Sequence, residues 1–304
     1  MSRKVLIKAP AKINAALSVG PPAENGMHPI SSWMITVDLC DDMELTRLDA
    51  GSISRYAILW HEDALQKPDI DWPVTSDLAV RAHLALEKHL NRPLPIQMKL
   101  EKRIPLGGGL GGGSSDAAAM LRGINALHEL DLPREELEAV ASGLGSDIPF
   151  LVAGGVGIVQ GFGESIEHLD DITDLNAVLI LPGLSCDTAQ VYKALDEVGA
   201  PGVDSDRVRT LSASEITGDT LFNDLAGPAM AVAPELAGHR EAIAGLVNAP
   251  VHVSGSGSTL FVICRNAMES EAMAEAIQSK IGLPAVSVSA AGQEAGMVVP
   301  SSTA

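Results

Sequence analysis

The sequence predicts an α+β fold in two domains, and three observations carry that prediction. A glycine-rich stretch lies between an alternating strand and an amphipathic helix in the first half. The second half runs in the order βαββαβ once extra helices are set aside. Apolar residues make up 46% of the 304 residues, ample for a packed core. The element order changes near residue 165, which divides the chain into domains 1–165 and 166–304.

The glycine-rich stretch is Pro105, Leu106, Gly107, Gly108, Gly109, Leu110, Gly111, Gly112, Gly113, Ser114, Ser115, Asp116. Glycine lacks Cβ, enters positive φ freely and lets backbone N–H groups come close to an anion. Ala117, Met120, Leu121, Ile124 and Leu127 follow at helical spacing, so a helix starts where the loop ends, with Ser114 or Ser115 as its N-cap and Asp116 in its first turn. A helix N-terminus behind such a loop is a phosphate site. A flexible linker is the bland alternative, but linkers have polar flanks. Here the flank is the strand Ile96, Met98, Leu100 alternating with Gln97, Lys99, Glu101.

The surrounding chain decides which phosphate loop this is. A Walker loop needs lysine where Gly113 stands. Gly107, Gly109 and Gly112 satisfy the dinucleotide pattern, but that fold needs a second parallel strand after the helix. After His128 the chain instead passes Asp131 and Pro133 into another helix with Leu137, Val140, Ala141 and Leu144 inward.

Before the loop, Val5 to Ile7 form a short strand that Pro10 interrupts. Ala11, Ile13, Ala15, Leu17 and Val19 then alternate with polar or small residues, placing Lys12 and Asn14 on one face. Residues 20–26 are a loop, and a strand runs from Met27-His28 through Trp33 to Leu39. Residues 41–75 carry mixed signals. A helix begins at Ser76-Asp77 and stops at Asn91-Arg92-Pro93. Past the second helix, strands cover 156–160 and 165–169. The second half has strands at 177–181, 251–254, 259–265 and 284–289, and helices at 188–198, 220–230, 234–247 and 267–281. The tail after Gly292 is small and polar and is expected to fray.

A net charge of −18 argues against a broad nucleic-acid surface, so an anionic substrate has to be met locally. Cys40, Cys186 and Cys264 form neither a metal spacing nor a disulfide framework, which fits a reducing cytoplasm. No apolar run reaches membrane-spanning length, and the start leads directly into a strand rather than a targeting segment.

The run Pro105 to Asp116 resembles the ATP loop of the GHMP kinases. Pro10-Ala-Lys-Ile-Asn14 and Ser254-Gly-Ser-Gly-Ser258 fall where that family has its other signatures, so the resemblance spans nearly the whole chain. It implies a two-domain GHMP kinase fold, with an amino-terminal ATP-binding α/β domain containing a left-handed βαβ crossover and a ferredoxin-like carboxy-terminal domain. It implies ATP and Mg²⁺ as cofactors. Pro105 to Ser115 would hold the nucleotide, Asp77 would lie near the adenine where the family has Asn, and Ser115 is a candidate Mg²⁺ ligand. Asp147, in Gly145-Ser-Asp-Ile-Pro-Phe150, matches the catalytic acid of the family; by itself it reads as a turn residue. Lys12 would hold Asp147 ionised and stabilise the transferred phosphoryl.

The form of the loop is similar to that of the GHMP kinases acting on a cytidine diphosphate alcohol in isoprenoid precursor synthesis, where the 2-hydroxyl is phosphorylated. In that case Asn14, Met27, His28, Tyr192, Gly255, Ser256 and Gly257 bind the small-molecule substrate. Met27 stands where the family has a Tyr or Phe stacked on the cytosine. Alternatives are a GHMP kinase for another alcohol, such as homoserine or mevalonate, and a non-catalytic nucleotide-binding relative. Retention of Lys12 and Asp147 counts against the last.

Overall fold

A computed structural model describes residues 3–172 and 174–300. Strands β1 (Lys4–Val19) and β2 (Ile30–Arg47) pair antiparallel along nearly their whole length. Pro10 does not end the first strand as expected. It sits where the register against β2 shifts, an irregularity that tolerates a residue with no N–H to give. A second shift leaves Ala15 as an extra residue between Asn14 and Ala16. Ala11 and Ile13 before it pack in one core cluster, Leu17 and Val19 after it in another, so the simple alternation read from Ala11 to Val19 breaks at this bulge.

The mixed stretch after β2 contains β3 (Arg55–Trp60), and α1 (Leu78–Leu90) then leads to β4 (Ile96–Lys102). β3 and β4 are parallel with α1 between them, a βαβ unit, and β4 also pairs antiparallel with β2. Helix α2 (Gly112–Leu127) is buried on almost every side, with Ala117, Ala118, Ala119, Met120 and Leu121 all inaccessible. Its small residues let it lie close to the sheet. Helices α3 (Arg134–Ser142) and α4 (Ile148–Ala153) precede the hairpin β5 (Val156–Gly161) and β6 (Ser165–Leu169). β5 pairs with β2 and β6 with β5, so residue 165 opens a strand of the first sheet.

The second sheet starts with β7 (Asn176–Ile180). Then follow α5 (Thr188–Val198), α6 (Ser205–Ser212), β8 (Phe222–Asn223), α7 (Ala226–Val232) and α8 (Pro234–Val247). The chain continues with β9 (His252–Val253), β10 (Leu260–Cys264), α9 (Ala267–Ile281) and β11 (Ala285–Ser289). The sheet order β11-β7-β10-β9 is antiparallel throughout: fourth, first, third and second strands of a βαββαβ unit, the ferredoxin-like arrangement. Helix α6 has no counterpart in the sequence reading, because Val208 is its one buried residue and an amphipathic signal needs more.

The tail is not frayed over the described residues. β12 (Val298–Pro300) returns to pair with β1, so backbone hydrogen bonding holds a segment whose composition looked loose, and just before it Ala291 N–H donates to the Thr36 carbonyl at 2.8 Å. Residues 301–304 lie outside the described residues. Among the described residues no helix is long and apolar enough to cross a membrane.

Gly123 marks where α2 touches the first sheet, since an added Cβ would meet Leu45 Cδ1 at 2.6 Å and Ile7 Cδ1 at 2.8 Å. Gly123→Val should therefore destabilise the protein by about 1–3 kcal/mol through overpacking, read as a lower urea midpoint at unchanged m-value. An unchanged midpoint would contradict this packing.

Candidate active site

The loop over Pro105 to Gly111 owes its path to glycine. Gly107, Gly109 and Gly111 take φ values of 65°, 76° and 68°. At Gly109 an added Cβ would lie 2.0 Å from the carbonyl oxygen of Ser254, so the loop passes directly under the segment joining β9 and β10. A backbone bond fixes this crossing, Thr259 N–H donating to Gly108 O at 3.1 Å, and Lys12 N–H donates to Leu110 O at 2.9 Å, which ties the loop to β1. Ser254 Oγ donates to Gly109 O at 3.0 Å.

Gly111, not Ser114 or Ser115, is the N-cap of α2, and the helix begins at Gly112. A glycine in the left-handed region makes the turn sharply enough that the serines already belong to the first turn. The N–H of Ser115 is the first to close a helical bond, to Gly111 O at 2.8 Å. Those of Gly112, Gly113 and Ser114 are left for an anion. Asp116 is then too deep for a first-turn role. Ser115 is fully buried, its hydroxyl has no partner among the described residues, and it is absent from the cavity wall that Ser114 joins, so it is not placed to hold Mg²⁺.

Facing this N-terminus are two side chains from distant parts of the chain. Lys12, 4% exposed, reaches out from the middle of β1, and its Nζ donates to Asn14 Oδ1 at 2.7 Å. The same Nζ lies 3.4 Å from Oδ2 of Asp147. Asn14 is held in turn, its Nδ2 donating to Ser32 Oγ at 2.8 Å and that hydroxyl to Ala16 O at 2.9 Å. Asp147 precedes α4 without capping it, which leaves the carboxylate for the cavity.

That cavity, about 540 Å³, is walled by Lys12, Asn14, Gly107–Gly109, Gly111–Gly113, Asp147, Thr188, Tyr192, Gly255 and Ser256. A second, about 390 Å³, continues from Tyr192 to Met27 and His28. His28 Nε2 is 2.8 Å from Asp196 Oδ1, and its ring lies 4.8 Å from that of Tyr192. Burial, with the nearby Asp147 charge, pushes the Tyr192 phenol up to about 12, so it stays neutral. Met27 is 48% exposed. A third cavity, about 790 Å³, shares Pro105–Gly108 and Thr188 with the first. Ser256 Oγ bonds Thr188 Oγ1 at 2.9 Å across the opening.

Two predicted residues lie differently. Asp77 does not line these cavities; its carboxylate caps α1 by accepting from Ala79 N–H at 2.9 Å and from Trp72 Nε1 at 3.3 Å. Gly257 lies behind the loop, its hypothetical Cβ 3.4 Å from Cys186 Sγ, while Gly255 and Ser256 face the cavity.

The floor of the site is formed by residues with no motif in the sequence. Lys102, 2% exposed, lines the main cavity and pairs with Asp41 at 2.6 Å and with Asp116. Asp41 also accepts from the N–H groups of Arg103 and Ile104, just before the loop. Burial opposes the Lys102 ammonium, but the two carboxylates outweigh it and push its pKa up. Burial drives Asp116 well above the usual carboxylate range despite the ammonium beside it. A signal existed: Lys102 shares the parity of Ile96, Met98 and Leu100, the buried face of β4. Asn223 was also missed; its Nδ2 holds the carbonyls of Val253 and Gly255 at 2.8 Å each.

Gly109→Ala should raise the ATP dissociation constant about tenfold or more in calorimetric titration, because forced positive φ costs roughly 1–3 kcal/mol and the methyl strikes a backbone carbonyl. Unchanged ATP affinity in the folded variant would remove the loop from the phosphate site.

Comparison with known proteins agrees with this geometry. Residues 77–155 match the family described as GHMP kinases N terminal domain. The chain is 38% identical over 262 residues to the 4-diphosphocytidyl-2-C-methyl-D-erythritol kinase of Bacillus mycoides, covering 85% of this chain and 87% of that one. It is 36% identical over 263 residues to the enzyme of the same name from Exiguobacterium sibiricum, covering 85% and 88%. A crystal structure of 4-(cytidine 5'-diphospho)-2C-methyl-D-erythritol kinase superposes with a TM-score of 0.75 at 30% identity, over 94% of this chain and 99% of that one. Homoserine kinase from Cytophaga hutchinsonii, at 17% identity and a TM-score of 0.69 over 97% of each chain, shares the fold. Identity of this degree over most of both sequences makes the chain a member of the GHMP kinases, in the 4-diphosphocytidyl-2-C-methyl-D-erythritol kinase family.

Proposed function

We propose that this protein transfers the γ-phosphoryl group of ATP to the 2-hydroxyl of 4-diphosphocytidyl-2-C-methyl-D-erythritol, a step of non-mevalonate isoprenoid precursor synthesis in the cytoplasm. The observation that carries the proposal is the Lys12–Asp147 pair, 3.4 Å apart, on one cavity with the glycine loop and the start of α2. Asp147 accepts the proton of the attacking hydroxyl or orients it. Lys12 offsets charge on the phosphoryl oxygens as they pass between donor and acceptor, and Asn14 and Ser32 keep its ammonium from swinging away. The N–H groups of Gly112, Gly113 and Ser114 hold the ATP phosphates.

The division of labour follows the two halves of the chain, the first supplying the ATP loop and the catalytic pair and the second supplying Tyr192 and the Gly255–Gly257 segment. The cytosine would rest between Tyr192 and Met27 in the cavity beyond the pair. With Nε2–H donated to Asp196, His28 has its Nδ1 left for a hydrogen bond with the cytosine. Mg²⁺ would arrive on the ATP phosphates and supply charge neutralisation there. Among the described residues no group of three His, Cys, Asp or Glu side chains could cage it, and Ser114 and Asp147 are oxygen-bearing side chains at hand.

An ADP-release assay tests this against homoserine and mevalonate as rival acceptors. The cytidine diphosphate alcohol alone should give saturable turnover, Asp147→Asn should lower kcat by about 10²–10⁴, and Tyr192→Ala should raise the KM of that alcohol about tenfold while sparing ATP. Normal turnover by Asp147→Asn, or equal use of another alcohol, contradicts the proposal.

A further inference from the structure

Arg122 lies in α2, ten residues beyond the helix start and away from the cavity of Lys12 and Asp147. Its guanidinium is bonded to main-chain carbonyls alone among the described residues. Nη1 donates to Leu151 O at 2.6 Å and Val152 O at 3.2 Å, Nη2 to Lys8 O at 3.2 Å, and Nε to Gly296 O at 3.0 Å. Burial lowers its pKa to about 10, which still leaves it charged at neutral pH.

The four carbonyls belong to three segments, and two of these carry the reactive pair. Leu151 and Val152 are in the last turn of α4, which Asp147 immediately precedes. A cation there meets both the orphan carbonyls and the negative end of the helix dipole. Lys8 is on β1, four residues before Lys12. The helix that bears Arg122 is the one whose first turn forms the phosphate site, and the third segment is the returning tail at Gly296. A single planar fork thus ties together the elements that carry the general base, the lysine and the phosphate loop. From Asp147 to Leu151 is about one helical turn, too short for a shift at one end to die out before the other.

We propose that Arg122 is a positioning residue for phosphoryl transfer, holding α4 against β1 and α2 so that Asp147 keeps its separation from Lys12 and its aim at the phosphate loop. It does so without touching substrate. Misplacement of a reacting group by about 1 Å costs on the order of a hundredfold in rate. Lysine cannot replace the fork, because its donors radiate from one atom. The tail enters the same device: a Cβ on Gly296 would come 2.9 Å from Arg122 Nη2, so a methyl there pushes the guanidinium from outside the site.

The proposal rests on Lys12 and Asp147 being the catalytic pair, and its test separates the two claims. Full-length Arg122→Lys, Gly296→Ala, Asp147→Asn and Arg122→Lys combined with Asp147→Asn are compared for kcat, ATP dissociation constant and thermal midpoint. Arg122→Lys should lower kcat about tenfold or more with ATP affinity within about threefold of wild type, and Gly296→Ala should lower kcat in the same direction by less. On top of Asp147→Asn, Arg122→Lys should cost little more, since it acts through that carboxylate. A folded Arg122→Lys with wild-type kcat and only a lower midpoint, or a loss that multiplies in full with Asp147→Asn, overturns the positioning role while Asp147→Asn itself stays slow. Should Arg122→Lys fail to fold, an unchanged kcat for Gly296→Ala overturns it. Wild-type turnover by Asp147→Asn overturns the catalytic assignment and this proposal with it.

Discussion

The contact on which the rest of the structure depends is the crossing of two backbones at Gly109 and Ser254. A Cβ at 109 would stand 2.0 Å from a carbonyl oxygen, a separation no side chain can accept. Because that atom is missing, the loop from the first sheet can slide beneath the segment between β9 and β10 of the second. One cavity is thereby closed by residues more than a hundred positions apart in the sequence. The bonds Thr259 to Gly108 and Ser254 to Gly109 depend on this closeness, and the bond Lys12 to Leu110 ties the same loop to β1. Gly111 repeats the arrangement toward Lys12, where a Cβ would lie 3.0 Å from Cγ and 3.2 Å from Cε, so the lysine stem packs along bare backbone.

Charge is handled locally in a chain of net charge −18. The cations at the site are each pinned in a different way. Lys12 is held by an amide and a carboxylate that face the cavity, whereas Lys102 is held by two buried carboxylates beneath it. Lys102 and Asp41 fasten the end of β4 just before the glycines begin, and Asp116 fastens α2 just after them. The loop is therefore anchored on both sides by one buried cluster. Replacing one member would leave another charged and unpaired, a heavier loss than the pair itself is worth.

Much of this was legible in the sequence. Glycine density between a strand and a helix announces a phosphate loop, period two brings Lys12 and Asn14 to one face, and the βαββαβ order announces the second sheet. The resemblance to GHMP kinases singled out Asp147, which local chemistry alone would leave as a turn residue. The misses have physical causes. The N-cap moved from Ser114 or Ser115 to Gly111 because a left-handed glycine can cap by conformation without a side-chain oxygen. The bulge at Ala15 is invisible because both faces of the strand are buried on each side of it, so alternation no longer tells one face from the other. Asp77 was drawn to the helix N-cap beside it rather than to a ligand. Lys102 reads as surface charge until the parity of its strand is followed to the end, and the tail's composition hides the backbone hydrogen bonds that dock it.

The destination of the phosphoryl group decides the assigned activity. Wild-type protein incubated with ATP and 4-diphosphocytidyl-2-C-methyl-D-erythritol and followed by ³¹P NMR should show a new phosphate monoester growing in step with ADP, with the diphosphate of the acceptor intact. ADP accompanied by free phosphate alone, or a cleaved acceptor diphosphate, would contradict it.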